Sequence, residues 1–569
     1  MISKPVGLLY GVDDKPGLPT MVLLGIQHIF ALSVAFVFPV VVVDAIGGTP
    51  EQARVMISVA MIATGIGTIL MSLNRGVVGS GFLCPLLNGP AFLSAAILAG
   101  KTGGVSLIFG MTAVGGVFEA VFARVVRKMR AVFPPEVTGT IVTMVGIEVI
   151  PIAVKRFVGI DRLNNQPDMT CFWVGLATLA AMVCFNVWGK GRLRLFSLLL
   201  GLIVGYVLSI FTGLLGAEQL RRIMEAPFLT LPSVGHYGIS FDMALLVPFL
   251  VATLSSALKA MGDITICQKI NDSEWKRPDM KSISRGIMAC AVGNIVSGLS
   301  GGLGQSVSSS NVGLSIATGA TSRIIAFPTG VILILLAFLP KLAMVYVIMP
   351  TPVMGASLIF AVSFMILAGI QITMTRMIDS RKTFVIGISI ILGLGVDIIP
   401  EFWKSIHPWI QPLCSSSLSV ATVCAIILNL FFRIGIAKSM NLELVPGPDA
   451  QNELFGAMQK HGGLWGARKD IIDRALSALN EFIEAAAVRK LAPDKVDIKV
   501  SFDEFNLDAD ISYQGDLMCF PDTQPSPEEL LADETRVAEL SAFLIGRYVD
   551  SMKSWTRDGK CFIHLHLDH

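Results

Sequence analysis

The chain has 569 residues, 53% hydrophobic and 15% charged, with a mean hydropathy of +0.69. That balance excludes an ordinary water-soluble domain and points to an all-α polytopic membrane protein. A net charge of +2 offers no basic footprint, so nucleic acid is not an expected partner, and the nine scattered cysteines read as packing residues rather than a disulfide framework or zinc site.

Residues 1–18, with acids and prolines before the first apolar run, are expected in the cytoplasm. They lack a signal-peptide cleavage pattern, so the first helix is read as an anchor. Apolar stretches long enough to cross a bilayer begin near 19, 54, 104, 138, 170, 194, 243, 284, 322, 345, 383 and 415. Two shorter ones, near 90–100 and 310–320, fall at corresponding places in two halves, 19–216 and 243–437, joined by an extracytoplasmic connection at 217–242. Seven elements per half give fourteen segments, and paired short segments of this kind predict inverted repeats with a binding site between half-helices.

Basic loops orient the chain. With the N-terminus inside, Arg75, the Arg124–Arg130 cluster, Lys190–Arg194, Lys269, Lys276, Arg277, Lys281, Arg323, Arg381 and Lys382 all fall on the cytoplasmic side. The main exceptions are Lys155, Arg156, Arg162, Arg221 and Arg222. An even span count returns the C-terminus to the cytoplasm. There a polar linker at 438–455 leads to a soluble α+β domain at 456–569, a helix-like run followed by alternating strands.

The most informative residue is Lys259, in the apolar segment DMALLVPFLVATLSSALKAMGDITI, with Asp263 one turn later. A charge at mid-bilayer costs about 2.5 to 3.5 kcal/mol and survives only facing a protein interior, a partner or a watery cavity. Three readings stand: a pair with Glu148 of MVGIEVIP, made and broken across a domain interface; local i, i+4 pairing with Asp263; or direct recognition of an anion. Asp263 is a proton carrier or simply the partner of Lys259.

Several segments together are similar to the nucleobase/ascorbate transporter family, which includes uracil and xanthine permeases. They are YGVDDKPG running into GIQHIFAL, PPEVTGTIVTMVGIEVIP, and SSNVGLSIATGATSR with Asn311, Gly313, Thr318 and Gly319 of the Q/E-N-x-G-x-x-x-x-T-G signature. The likeness covers roughly residues 8–437 and stops before the tail.

The resemblance implies a fourteen-span, seven-plus-seven repeat with core and gate domains, commonly dimeric. Each of two half-helices is preceded by a short strand, and substrate sits between their ends, around Ala91-Phe92 and Ser310-Asn311-Val312-Gly313. Phe92 is expected to stack on a planar ligand and Gly313 to admit close backbone approach. Gln27 and His28 of the first helix are expected to support the site, and Asn311 to bond the ligand or cap its half-helix. One of Ser308, Ser309 and Ser310 is expected to touch substrate, and Glu119 and Asp397 are read as structural or interfacial. The chain departs from the family at two places: Lys259 stands where a Glu is usual, and Ser310 where Gln or Glu opens the signature.

The expectation is therefore a non-enzymatic inner-membrane secondary transporter, moving a purine or pyrimidine base with protons or another coupling ion by elevator-like sliding. No cofactor is implied. The alternatives are a carboxylate or inorganic-anion carrier using Lys259, and a ligand-binding membrane sensor signalling through the tail. The tail's helix and strands resemble the histidine-kinase ATPase fold without its glycine-rich lid, so a regulatory or dimerising role is expected. Its terminal HLHLDH, with His564, His566 and His569, alternates as a strand would; an edge strand is favoured over a metal site, and no metal is assigned.

Overall fold

The computed structural model describes the chain apart from residues 1–3, 75, 130, 131, 161–165, 190, 191, 276, 376, 377, 408–410, 412, 413, 415, 490, 491, 493, 494 and 522–536. Arg75, Arg130, Arg162, Lys190 and Lys276 of the loop-charge argument thus lie outside the described residues. Two compact units emerge, Met1–Leu430 and Phe431–His569.

The first unit is a multi-pass helical bundle. α1 (Leu18–Ile46) carries a 3-10 turn at Ser33–Phe36, and α2 (Pro50–Ser72) starts from a Thr49–Gln52 capping box. Strand β1 (Leu86–Asn88) leads into α3 (Leu93–Val125), followed by α4 (Pro135–Phe157), α5 (Met169–Val187), α6 (Ser197–Phe211) and the short α7 (Ala217–Glu225). The second half holds α8 (Leu246–Asn271), α9 (Met280–Ser300), strand β2 (Gln305–Val307), α10 (Ser309–Thr318), α11 (Ala326–Leu336), α12 (Pro340–Val347), α13 (Thr351–Thr373), α14 (Ser380–Ile398) and α15 (Ser417–Phe432). Among the described residues, eight helices are long and apolar enough to cross a membrane, or nine if the bent pair α11–α12 forms one span. α6 and α15 are shorter apolar helices.

The short stretch expected at 90–100 is continuous with the span after it. α3 runs through both and breaks at Gly103 and Gly104, the latter at φ +72° and ψ −168°, a conformation closed to residues with a Cβ. Residues 93–102 are therefore a half-length arm like α10, which spans ten residues between the Ser308 cap and Gly319 at φ +65°. The expected connection at 217–242 contains the short helix α7.

Close packing falls where small residues recur. A Cβ on Gly139 would lie 2.1 Å from Thr373 Oγ1, and one on Gly369 would lie 2.3 Å from Thr143 Oγ1. Gly139-x-x-x-Thr143 of α4 and Gly369-x-x-x-Thr373 of α13 thus interlock reciprocally, the small-x-x-x-small contact of membrane helices. Outward-facing apolar side chains such as Val117, Trp173, Ile203 and Phe211 stay exposed, as a lipid-facing surface requires.

The second unit contains a five-stranded antiparallel sheet in the order β3-β4-β5-β7-β6. Its strands are β3 (Lys438–Leu444), β4 (Val496–Phe502), β5 (Asn506–Tyr513), β6 (Ser551–Arg557) and β7 (Lys560–Asp568). The helices α16 (Pro448–Trp465), α17 (Lys469–Arg489) and α18 (Val537–Tyr548) share one apolar core with the sheet, including Leu454, Phe482, Ile545, Ile498 and Leu565.

Two expectations fail here. The stretch 438–455 is no linker: β3 turns Met440, Leu442 and Leu444 inward, the middle one half-buried, and α16 begins at Pro448. Its polar alternate residues disguised a strand whose other face is open. β7 is not an edge strand either, because it pairs with β5 on one side and β6 on the other.

Candidate functional site

The two halves meet where β1 and β2 pair antiparallel, Leu86 opposite Val307 and Asn88 opposite Gln305. Flanking bonds extend the crossing, Gly89 N to the Gly304 carbonyl at 2.7 Å and Ser308 N to the Pro85 carbonyl at 2.9 Å. Each strand opens directly into a half-helix, so two N-terminal ends, with their unpaired N–H groups and partial positive charge, are delivered to one place.

α8 lies against this crossing. Ser256 Oγ donates to the Gln305 carbonyl at 3.1 Å, and the Lys259 ammonium donates to the Val307 carbonyl. The donors are three residues apart on one helical face, about 4.5 Å, and the acceptors two apart on the strand, about 6.6 Å, and the long lysine arm spans the difference. Lys259 also pairs with Asp263 at 3.0 Å, both side chains no more than 4% exposed. Ser309 Oγ donates to the same Asp263 oxygen at 3.0 Å. The pair thus ties α8 to the strand and to the first turn of α10. Of the three readings for Lys259, this arrangement contains the local pair with Asp263; a pair with Glu148 is not formed in it.

Behind the strand, Asn294 Nδ2 donates to Glu119 Oε2 at 2.7 Å and to the Gln305 carbonyl at 3.2 Å, while Gln305 Nε2 reaches Thr64 Oγ1 at 3.2 Å. Glu119 is therefore a brace for the crossing. Asn311 is fully buried and bonds His28 twice, Nδ2 to ring Nδ1 at 2.9 Å and to the carbonyl at 3.0 Å. It does not cap its helix. Ser308 does, its hydroxyl accepting from Asn311 N and donating to Asn311 Oδ1 at 2.7 Å. Gln27 is buried beside His28 with Oε1 unbonded.

Phe92 is not placed to stack on a ligand. It is 1% exposed, and its ring lies against Gly304, where a Cβ would approach it to 2.4 Å. An aromatic next to a half-helix end suits core packing as well as stacking, and here packing wins. Ser310 and Gly313 lie on the exposed face of α10, and a Cβ at Gly313 would meet nothing within 4 Å, so close backbone approach does not explain that glycine in this conformation.

Glu148 instead opens onto a cavity of about 10 Å³ with Ala91, Ser94 and Ala95 of the first half-helix region, Pro248 and Ala252 of α8, and Ser416 and Ser419 beside α15. It is 7% exposed, and neither carboxylate oxygen has a well-formed hydrogen bond, although the Ser94 and Ser416 hydroxyls lend partial support. The cavity has room for about one water molecule. A buried carboxylate without full bonding costs several kcal/mol. Ser94, Ser256, Asn294, Gln305 and Ser416 were not singled out in the sequence. Only Ser256, three residues before Lys259 on an apolar helix, carried a local signal.

The model of the xanthine/uracil-type Permease family matches residues 19–402. A Clostridium perfringens protein provisionally named a purine permease, CPE0397, is 32% identical over 434 residues, covering 75% of this chain and 93% of that one. The xanthine permease XanQ of Escherichia coli K12 is 27% identical, covering 79% and 98%. The uric acid permease PucJ of Bacillus subtilis is 26% identical, covering 76% and 96%.

Proposed function

This chain belongs to the permease family whose model it matches, and from that premise we propose that it is a secondary active transporter of a purine-type nucleobase, with an oxopurine such as xanthine or urate as substrate. The observation that carries the reading is the convergence of two half-helix ends at the β1–β2 crossing, with a buried and only partly supported carboxylate, Glu148, on the facing helix. Relatives named as purine, xanthine and uric acid permeases support the substrate class.

The chemistry of recognition differs from the family pattern. An oxopurine presents ring N–H donors and carbonyl acceptors. With Lys259 where a Glu is usual, the acceptor for the N–H edge comes from Glu148, across the cavity from Ala91. Lys259 has spent two of its three protons on Asp263 and Val307. The third is available to a ring carbonyl, and Ser310 is the exposed hydroxyl at the other half-helix. Asp263 and Glu148 are the carboxylates through which protons couple to transport, His28 holds Asn311 in place, and Gln27 supports the site from the same helix.

Transport proceeds by sliding of a core, built around the crossing and α8, against a gate containing the interlocked α4–α13 pair. A cavity of about 10 Å³ is too small for a base, so in this reading the two parts separate to admit one. The finer architecture belongs to the same proposal: fourteen segments in two inverted repeats, residues 19–216 and 243–437, a homodimer, both termini cytoplasmic and a bacterial-type inner membrane.

A carboxylate or inorganic-anion carrier is the second reading, and Lys259 is the residue that favours it. Against it stands charge: the ammonium is already neutralised by Asp263 at 3.0 Å. Uptake of labelled xanthine, urate and uracil into vesicles, with wild type and Glu148→Gln, tests the proposal. Xanthine or urate uptake lost in Glu148→Gln supports it. Uptake that survives the substitution removes Glu148 from the site, and binding without flux would point to a sensor.

A further inference from the structure

Along β5 and β7, alternate residues face away from the helices of the second unit. Leu507, Ala509, Ile511, Ile563, Leu565 and Leu567 enter the apolar core, which leaves Asp508, Asp510, His564, His566 and Asp568 on the opposite face. Register sets Asp508 directly across from His566 and Asp510 across from His564. His564 Nδ1 sits 2.7 Å from Asp510 Oδ1, and His566 Nδ1 sits 2.6 Å from Asp508 Oδ1. The remaining His564 nitrogen, Nε2, lies 3.8 Å from that same Asp508 oxygen.

We propose that Asp508, His564 and His566 form a binding site for a divalent transition-metal ion of the zinc type. One donor atom from each lies within 4.8 Å of the others. Around a tetrahedral ion with bonds of about 2.0 to 2.1 Å, ligand atoms stand roughly 3.3 Å apart. Small side-chain rotations, opening the short contact and closing the long ones, bring the set to that spacing. Two imidazoles and one carboxylate suit zinc, nickel or copper, whereas calcium and magnesium call for oxygen donors.

Asp510 strengthens the assignment. By accepting from His564 Nδ1 it fixes the tautomer whose Nε2 lone pair points at Asp508, the carboxylate–imidazole–metal relay that orients ligands in metal sites. All three ligands are about two-thirds buried, which leaves the outward coordination positions to water or to an incoming group. His569, the remaining histidine of the terminal motif, takes no part. Its Nδ1 faces the Glu504 carbonyl at 2.8 Å and its Nε2 accepts from Arg468 N at 2.8 Å.

The rival is a ladder of cross-strand His–Asp hydrogen bonds that holds no ion. Full-length protein in detergent, stripped with chelator, is titrated with Co²⁺ while the visible spectrum is followed, then with Zn²⁺ by calorimetry. One equivalent is expected, with cobalt bands of a nitrogen–oxygen site and no thiolate charge transfer. His564→Ala and Asp508→Asn should each weaken binding at least about 10-fold, and Asp510→Asn by about 10- to 100-fold. His569→Gln should leave affinity unchanged. Melting of the unloaded variants checks folding, and the wild-type stoichiometry and spectrum stand even if a variant unfolds. Absence of stoichiometric binding, a thiolate spectrum, or equal affinity in Asp508→Asn and His564→Ala would overturn the assignment.

Discussion

The Lys259–Asp263 pair makes a quantitative demand. Both side chains are almost wholly buried and 3.0 Å apart, with the Val307 carbonyl and the Ser309 hydroxyl as their further partners. Removing one member leaves the other charged and unpaired in low dielectric, a loss of about 3 to 5 kcal/mol. Asp263→Asn and Lys259→Gln should therefore each destabilise the membrane unit strongly. At about 2 to 4 °C per kcal/mol, a scale for domains smaller than this one, melting falls by at most about 6 to 20 °C. The double variant leaves no unpaired charge and should recover much of that loss, with a coupling of about 2 kcal/mol or more. Thermal unfolding of the four proteins in one detergent closes the cycle. Additive losses would refute the pairing, and two silent single variants would show that neither group is charged where it sits.

Other consequences are simpler to check. Gly304→Ala places a Cβ 2.4 Å from the buried Phe92 ring and should cost about 1 to 3 kcal/mol by overpacking; combined with Phe92→Ala, which removes the ring atoms that Cβ would meet, it should cost less than the sum of the two single losses, and strictly additive losses would contradict the packing role given to Phe92. Asn311→Ala leaves buried His28 groups unbonded and should cost about 1 to 3 kcal/mol, read by melting, whereas an unchanged melting point would return Asn311 to ligand binding alone. In the second unit, burial pushes the Tyr513 phenol up to about 12, with the Met518 N–H a smaller opposing influence. Its raised value means that its share of stability is complete below pH 10 and disappears as pH climbs through 12. The ultraviolet difference titration of wild type against Tyr513→Phe should have its midpoint near 12, and a midpoint at 10 would refute the burial.

Much of this arrangement was legible in the residues. Helix positions followed from runs of apolar residues, and the two short segments announced the half-helices, because a bilayer's thickness makes length informative. Gly103-Gly104 hid a junction that only backbone geometry resolves, a helix pausing rather than ending. The lysine was legible as functional or paired, but its partner was not. Glu148 and Asp263 were both chemically suitable, and the choice depended on which helix face met the strand. Phe92 failed for a related reason: an aromatic's surroundings are tertiary, and Gly304, more than two hundred residues away, supplies the wall. In HLHLDH the alternation was visible, whereas Asp508 and Asp510, which turn two imidazoles into a candidate metal site, come from a neighbouring strand whose register no local pattern encodes.

Counterflow in proteoliposomes tests the central claim most directly. Vesicles loaded with unlabelled xanthine or urate are diluted into trace labelled compound, with uracil, fumarate and bicarbonate as competitors. The account predicts saturable accumulation of the labelled oxopurine, blocked by purines, indifferent to the anions and abolished in Glu148→Gln. Accumulation driven or blocked by fumarate or bicarbonate, with no response to purines, would contradict it and make Lys259 the centre of an anion site.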